Sequence, residues 1–328
     1  IKEYYSVTKM ANDAVFAYTN CLKDHKVKYD VMLSGYYGYG NIGDETLMHT
    51  IIYKLKEKKP DIKIVVLTHK RDSFLEENGI DSISRINIFK IRKALKKTKL
   101  YINGGGSLLQ DSTSTKSLLY YLTLLKTAYN MGVKTYLYAN GIGPILKEKN
   151  IIRVREALKN IDYMSLRDKS SFDFIKSLGV ENKHIYLTTD EIFGIDLTSS
   201  AKRILNDNYM VISLRDWHKK DKSIYKKLSA LIKHIYENYN LKPVFILSKQ
   251  DDLKITKILY NLLDIDTAEI YYDNSFEDTI HIISQSKLVI SIRLHPLIFG
   301  LCANIPVYGI SYDPKIVGVL ETINYPYY

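Results

Sequence analysis

Arg293 and His295 stand two residues apart in SIRLHPLIFG, residues 291–300, directly after an apolar run that reads as a strand. Pro296 suits the opening of a helix, because its fixed φ fits the first turn and its missing N–H goes unneeded there. A guanidinium is a permanent cation, and an imidazole can hold or release a proton near neutral pH. A solitary histidine is usually just a satisfied polar residue, but one beside an arginine at the ligand end of a strand is a better candidate for chemistry. Leu294 separates the pair, and one strand later SYDPKI places Lys315 past Asp313 and Pro314. Arg293, His295 and Lys315 read as a cationic cluster with one titratable base, fit to bind an anion and to move a proton.

Glycine marks three further places. The stretch SGYYGYGNIGDE, residues 34–45, holds Gly38, Gly40 and Gly43 in formal GxGxxG spacing, and His69, Lys70 and Arg71 follow the next strand-like run. A dinucleotide fingerprint turns at its first glycine immediately after the strand. Here Gly35, Tyr36 and Tyr37 intervene, which argues against NADP. A glycine loop entering a helix still suits an anion, since free N–H groups and the helix dipole point at it. Asp44 falls at or near the N-cap, either as a plain cap or as a carboxylate at the site. NGGGSLLQD sets Gly104, Gly105, Gly106 and Ser107 after another strand, and NGIGP, residues 140–144, follows the next. Consecutive glycines cost backbone entropy and are kept where a chain must approach a ligand or another backbone closely. Arg167 and Asp168 end one more strand. They read either as a structural salt link or as a guanidinium fork for a carboxylate or phosphate.

These residues need strands to carry them. Apolar runs at 30–34, 62–68, 100–103, 134–139 and 163–166 alternate with helical patterns at 45–58 and 117–131. The second half repeats this, with strands at 209–214, 243–248, 269–272, 288–292 and 307–310 and helices at 223–238, 253–263, 276–286 and 297–303. Such alternation is the mark of parallel α/β sheets, whose ligands sit beyond the carboxyl ends of the strands. Leu118, Tyr121, Leu122 and Leu125 share one helical face and read as core. The expected architecture is α/β, with two Rossmann-like domains facing a cleft in the GT-B manner. Residues 1–28 read as an N-terminal helical extension, 29–196 as the first domain, 197–208 as a linker and 209–328 as the second domain.

The chain has 328 residues, 46% hydrophobic and 25% charged, which suits two buried cores. Its opening, residues 1–13, is polar and lacks the apolar core of a secretion signal, and no apolar run reaches the length of a membrane span. Cys21 and Cys302 read as free thiols in a reducing compartment, so the expected location is cytoplasmic. No histidine pair has metal-ligand spacing, and no metal or cofactor is expected. The net charge of +11 comes with lysines clustered at 54–59, 90–99 and 219–227 on amphipathic patterns. That charge fits solvated helix faces or an anionic partner: a phosphorylated substrate, an acidic membrane surface or nucleic acid. In 88–99, Ile88, Ile91 and Leu95 share one face with a basic flank. This helix either packs its apolar face on the first sheet or meets an anionic membrane.

Taken in order, SGYYGYGNIGDE, NGGGSLLQD, SLRDKSS, ISLRDW, IRLHPLIFG and ISYDPKI resemble the polysaccharide pyruvyl transferase family across about residues 30–325. Each motif alone is weak, and their ordered combination is specific. It most resembles the bacterial branch that modifies secondary cell-wall polymers for S-layer anchoring. The resemblance implies transfer of pyruvate from phosphoenolpyruvate to form a ketal, bridging O4 and O6 of a β-N-acetylmannosamine on a polyprenyl-diphosphate-linked oligosaccharide. It implies work at the inner face of the cell membrane, with phosphoenolpyruvate as co-substrate and no nucleic acid. It also implies that Arg293 and Leu294 contact the donor, that His295 is catalytic, that Arg167 and Lys315 hold donor anions, and that Asp44 faces the acceptor or reacting centre. The main rival is a GT-B nucleotide-sugar glycosyltransferase, which would be expected to carry an acid gripping ribose in the second domain. A non-catalytic nucleic-acid or membrane binder would explain the charge, but not the glycines and the Arg–His pair gathered at strand ends.

Overall fold

The computed structural model describes residues 27–71, 73–182, 184–194, 208–215, 223–266, 268–271, 276–311 and 314–326, without the side chains of Phe276, Pro314 and Lys315. Apart from Val27 and Lys28 in the expected N-terminal extension and Asn208 in the expected linker, both segments lie outside the described residues. So do Cys21, Trp217, Asp313 and the cluster from Lys219 to Lys222. The chain divides into two compact units. Gly40–Gly43 groups with the second unit, and Gly318–Pro326 with the first.

The first unit is a seven-stranded sheet: β1 (Tyr29–Ser34), β2 (Ile64–Thr68), β3 (Asp81–Ser84), β4 (Thr98–Gly104), β5 (Lys134–Asn140), β6 (Tyr163–Leu166) and β7 (Ile185–Leu187). Its order is β3-β2-β1-β4-β5-β6-β7, and every neighbouring pair is parallel. The helices between are α1 (Ile42–Lys58), α2 (Ser73–Glu77), α3 (Ile88–Leu95), α4 (Thr115–Asn130), α5 (Glu148–Leu158) and α6 (Lys169–Ser177). The central strands are apolar on both faces because helices cover both, so β1 and β2 are buried along their whole length. Met32, Tyr101 and Leu137 pack one way with α4, including Leu118, Tyr121, Leu122 and Leu125, which are core as expected. Val31, Leu33 and Tyr138 pack the other way with Met48, Ile51 and Leu55 of α1. β3 and β7 escape the sequence pattern because they are short edge strands with no fully buried residue.

The second unit repeats the order as β10-β9-β8-β11-β12, again all parallel. Its strands are β8 (Tyr209–Ser213), β9 (Lys242–Ile246), β10 (Glu269–Tyr271), β11 (Leu288–Ser291) and β12 (Val307–Gly309). Its helices are α7 (Ser223–Tyr239), α8 (Leu253–Leu263), α9 (Phe276–Ser284) and α10 (Leu294–Cys302), and α11 (Pro314–Thr322) closes the chain. In both sheets the order reverses beside the first strand of the unit. Chains leaving opposite ways there open a crevice at the carboxyl edge, where ligands of such sheets bind.

Candidate functional site

In the first unit the site is built from the loops after β1, β4, β5 and β6. After β1 the chain folds Tyr37 back beneath itself, its hydroxyl donating to the carbonyl of Gly104 at 2.6 Å. A Cβ on Gly35 would lie 2.2 Å from that ring. Gly38, at φ +78°, lies against Thr68 and the backbone of Lys70. The N–H groups of Gly38 and Tyr39 donate to the carboxylate of Glu45 at 2.9 and 3.1 Å. This corrects the expectation that these N–H groups stand open to an anion, since a carboxylate of the chain itself fills that place. Asp44 lies within the first turn of α1, near its cap as expected.

The two later glycine loops are bound to each other. Gly105 N–H donates to Tyr138 O (2.8 Å), Gly141 N–H to Gly106 O (2.9 Å) and Gly143 N–H to Leu109 O (2.8 Å), so the pairing of β4 with β5 continues past the sheet. Gly105 and Gly106 both have positive φ, +68° and +71°. A Cβ on Gly106 would sit 3.2 Å from Asp44 Oδ1, which brings Asp44 to this loop. Asp111 fastens the far end by accepting from Leu146 N, Lys147 N and Asn150 Nδ2. Although burial opposes ionisation, these donors hold its carboxyl below the ordinary range.

Arg167 lies at the centre of these loops and is 2% exposed. Its guanidinium donates to Asp190 at 3.0 Å, to Asp168 at 3.4 Å and to Ser107 Oγ at 2.8 Å. Of the two sequence readings, the structural link is the one seen, with Asp190 added. Asp168 also caps α6 by accepting from Ser171 N at 2.8 Å, and Ser171 Oγ in turn accepts from Ile142 N. Burial works against the charge on Asp168, yet Arg167 and the serine donors hold it below the usual carboxylate range. A Cβ on Gly141 would come 2.7 Å from Arg167 Nε and 2.8 Å from Ser107 Oγ. Gly104, Gly105, Gly106, Ser107 and Arg167 therefore form one buried construction. Next to it, Glu191 is fully buried, and burial pushes its carboxyl up to about 8.

In the second unit the carboxyl edge carries three serines. Ser213 and Ser248 share a hydrogen bond at 3.0 Å. Ser291 Oγ accepts from Arg293 N at 2.9 Å and donates to Arg293 O at 2.7 Å, which locks the turn from β11 into α10. Arg293 is the N-cap position of that helix, so Pro296 falls inside the first turn and not at its opening. The Arg293 side chain makes a two-pronged pair with Asp252, Nε at 3.1 Å and Nη2 at 2.5 Å. Burial raises the Asp252 carboxyl above its usual range while Arg293 pulls it down. The segment Gly40–Gly43 runs along this edge, with Ile42 N–H on Ser248 O at 3.0 Å. A Cβ on Gly43 would fall 1.7 Å from His295 Nδ1, so this glycine makes room for the imidazole. Leu294 is half-buried beside it, Gly40 has φ +67° and open space around it, and the side chain of Lys315 lies outside the described residues.

Sequence reasoning missed Glu45, Asp190, Glu191 and Asp252. Asp252 carries a readable signal, because it follows a strand at its carboxyl end, where a partner for Arg293 is needed, whereas Asp190 follows β7, which the sequence pattern does not reveal. Among the described residues no group of histidine, cysteine, aspartate and glutamate is placed to hold a metal ion.

A search of curated proteins found no significant match. Among solved structures the chain is similar to S. aureus MnaA with UDP (13% identity, 88% of this chain and 81% of that one, TM-score 0.61). It is also similar to the UDP-GlcNAc 2-epimerase of Methanocaldococcus jannaschii (13% identity, 88% and 85%, TM-score 0.61). Anabaena Alr3699/HepE in complex with UDP and glucose is comparable (11% identity, 86% and 81%, TM-score 0.58). At such identities the likeness establishes the fold alone: α/β, two Rossmann-like domains, GT-B-like. The family model for polysaccharide pyruvyl transferase matches residues 41–314, which takes in the Gly43, Arg167 and His295 motifs together. This protein belongs to the polysaccharide pyruvyl transferase family.

Proposed function

We propose that this transferase takes its pyruvyl unit from phosphoenolpyruvate and closes it as a ketal on two hydroxyls of one sugar. Protonation of the donor methylene makes C2 cationic, and one hydroxyl oxygen bonds to it. The C2–O bond to phosphate then breaks, and the second hydroxyl oxygen bonds to C2. Of the two hydroxyl protons, one is accounted for in the new methyl group and the other leaves with phosphate, so no oxidant or reductant is required. His295 is the group that gives and takes these protons. Arg293, held in a fixed plane by Asp252, meets the donor's carboxylate or phosphate, with Leu294 against its carbon atoms and Lys315 as a further cation. Asp44 serves the acceptor hydroxyl.

Arg167 takes a different part from Arg293 in this reading. One guanidinium facing two buried carboxylates has no net positive charge to offer an anion, so its work is to hold Ser107 and the glycine loops in place. The observation that carries the reading is His295 seated against Gly43 beside the Asp252-anchored Arg293. The acceptor is a cell-wall glycan, with 4,6-linkage on a β-N-acetylmannosamine of a polyprenyl-diphosphate-linked precursor as its finer form, and the S-layer-anchoring branch as its setting.

The test is phosphate release from phosphoenolpyruvate with and without a lipid-linked acceptor ending in N-acetylmannosamine. Release that depends on acceptor, with a ketal signal in the product, supports the reading. Binding of a UDP-sugar with no response to phosphoenolpyruvate would replace it with the nucleotide-sugar alternative.

A further inference from the structure

The turn from β3 into α3 holds three apolar side chains out in solvent: Ile86 is 76% exposed, Ile88 46% and Phe89 89%. This is not a frayed end. Arg85 N–H is bonded to Thr68 O at 3.0 Å, Asn87 N–H to Ser84 O at 2.9 Å, and the Asn87 side chain caps α3 by accepting from Lys90 N at 3.0 Å. The inner face of the same helix is already satisfied, since Ile91, Ala94 and Leu95 are buried in the core. That outcome corrects part of the sequence pattern: Ile91 and Leu95 pack on the sheet as one reading held, while Ile88 faces outward with Phe89.

The surrounding charge is one-sided. Between Asp81 and Asp111 the chain has no acidic residue and seven cations: Arg85, Lys90, Arg92, Lys93, Lys96, Lys97 and Lys99. Lys99 pairs with Asp30 at 3.1 Å and Arg85 is buried, whereas Lys90, Arg92, Lys93, Lys96 and Lys97 are exposed. Exposed aromatic and aliphatic side chains beside a row of flexible cations are the composition that settles into the headgroup boundary of an anionic bilayer. A phosphate backbone would be served by the cations and would leave Ile86 and Ile88 without a use.

Position adds a second observation. Arg85, next to this tip, donates to Gly35 O at 3.3 Å and to Tyr121 Oη at 3.1 Å. Its guanidinium also lies over the rings of Tyr36, Tyr39, Tyr120 and Tyr121 at 4.6–5.8 Å. The tip and the first glycine loop are thereby one rigid piece at the carboxyl edge of the first sheet.

We infer that Ile86, Ile88 and Phe89, with the five exposed cations of 90–97, form a docking surface for an anionic lipid bilayer that brings the first glycine loop to the membrane. The inference rests on the proposed function for its purpose, a lipid-borne acceptor, and on the surface itself for its chemistry.

The experiment uses the full chain with vesicles of pure phosphatidylcholine and of phosphatidylcholine with 30% phosphatidylglycerol, at about 0.05 and 0.5 M salt. Binding is expected to the anionic vesicles at low salt and to fade at high salt, as screening requires. Phe89→Ser should weaken it by about tenfold or more, the scale of losing one buried aromatic side chain. Lys93→Glu should weaken it by at least about fivefold, the scale of one cation at such a surface. In a Phe89→Trp, Trp217→Phe variant, indole emission should shift to the blue on the anionic vesicles and be quenched by lipids brominated in the acyl chain. No binding to anionic vesicles at low salt overturns the proposal, as does binding that ignores lipid charge or an indole that stays in water. Capture by RNA in place of vesicles would point to nucleic acid, and a dimer lost in Phe89→Ser to a second copy; either result also overturns it. Turnover with a detergent-soluble acceptor keeps the two ideas apart. If Phe89→Ser retains that turnover while losing vesicles, docking stands; if the wild type turns over but binds no vesicles, docking alone falls.

Discussion

The imidazole of His295 occupies space that only a glycine at 43 leaves open, and Arg293 beside it is fixed by a carboxylate. On the proposed reading His295 transfers a proton and Arg293 holds an anion, and two such groups fail differently when removed. His295→Ala is expected to lower turnover by about 10²–10⁴-fold with donor affinity nearly unchanged, and Arg293→Ala to weaken the donor as well. Single-turnover kinetics beside calorimetric titration of phosphoenolpyruvate separate the two, and near-normal turnover in His295→Ala would move the proton donor to Asp44. Glu191 gives a second prediction at this scale. Its folded value near 8 lies above an ordinary carboxyl's 4.5 because burial disfavours the anion. Between those two values the unfolded chain loses the proton and the folded chain keeps it, so this group's contribution to stability declines as pH rises. The melting temperature of Glu191→Gln should therefore gain on the wild type between pH 5 and pH 8.5. A difference that stays flat with pH would refute the buried, protonated carboxyl.

At the scale of elements, the glycine loops work as spacers whose tolerance depends on what they face. The atoms nearest a Cβ at Gly43 belong to the side chain of His295, whereas Gly141 faces the guanidinium of Arg167, pinned by Asp168 and Asp190. Gly43→Ala should lower turnover with little change in melting temperature, because the imidazole moves and the fold does not. Gly141→Ala should cost about 1–3 kcal/mol of stability, the usual penalty of forcing a group into filled space, and lower activity with it. Denaturant titration and turnover on both variants check the contrast. Equal stability losses would mean that His295 is held as firmly as Arg167.

For the whole molecule the relevant quantity is charge. A chain of net charge +11 attracts a multiply charged anion from a distance, and salt shortens that reach. The kcat/KM for phosphoenolpyruvate should fall several-fold between about 0.02 and 0.3 M salt while kcat holds steady. Stopped-flow binding of the donor would show whether the change lies in the association rate. A salt effect confined to kcat would place the charge at the chemical step.

The sequence by itself determined the class of fold and where the candidate site residues stand along the chain. Near-continuous apolar runs such as 30–34 and 209–214 mark doubly covered parallel strands, and polar residues gather directly after them. This information is local, since strand periodicity, glycine clustering and an Arg–His pair are legible within ten residues. What only the tertiary structure decided is which groups remain available. Glu45 fills the N–H groups of its own loop, Asp190 reaches Arg167 across 23 residues, and Asp252 reaches Arg293 across 41. The same holds for α3, where Ile91 and Leu95 turn inward and Phe89 outward though all are apolar. Partners so distant along the chain follow from the order of strands in a sheet, and strand order is set by long-range packing that leaves no periodic trace in the sequence.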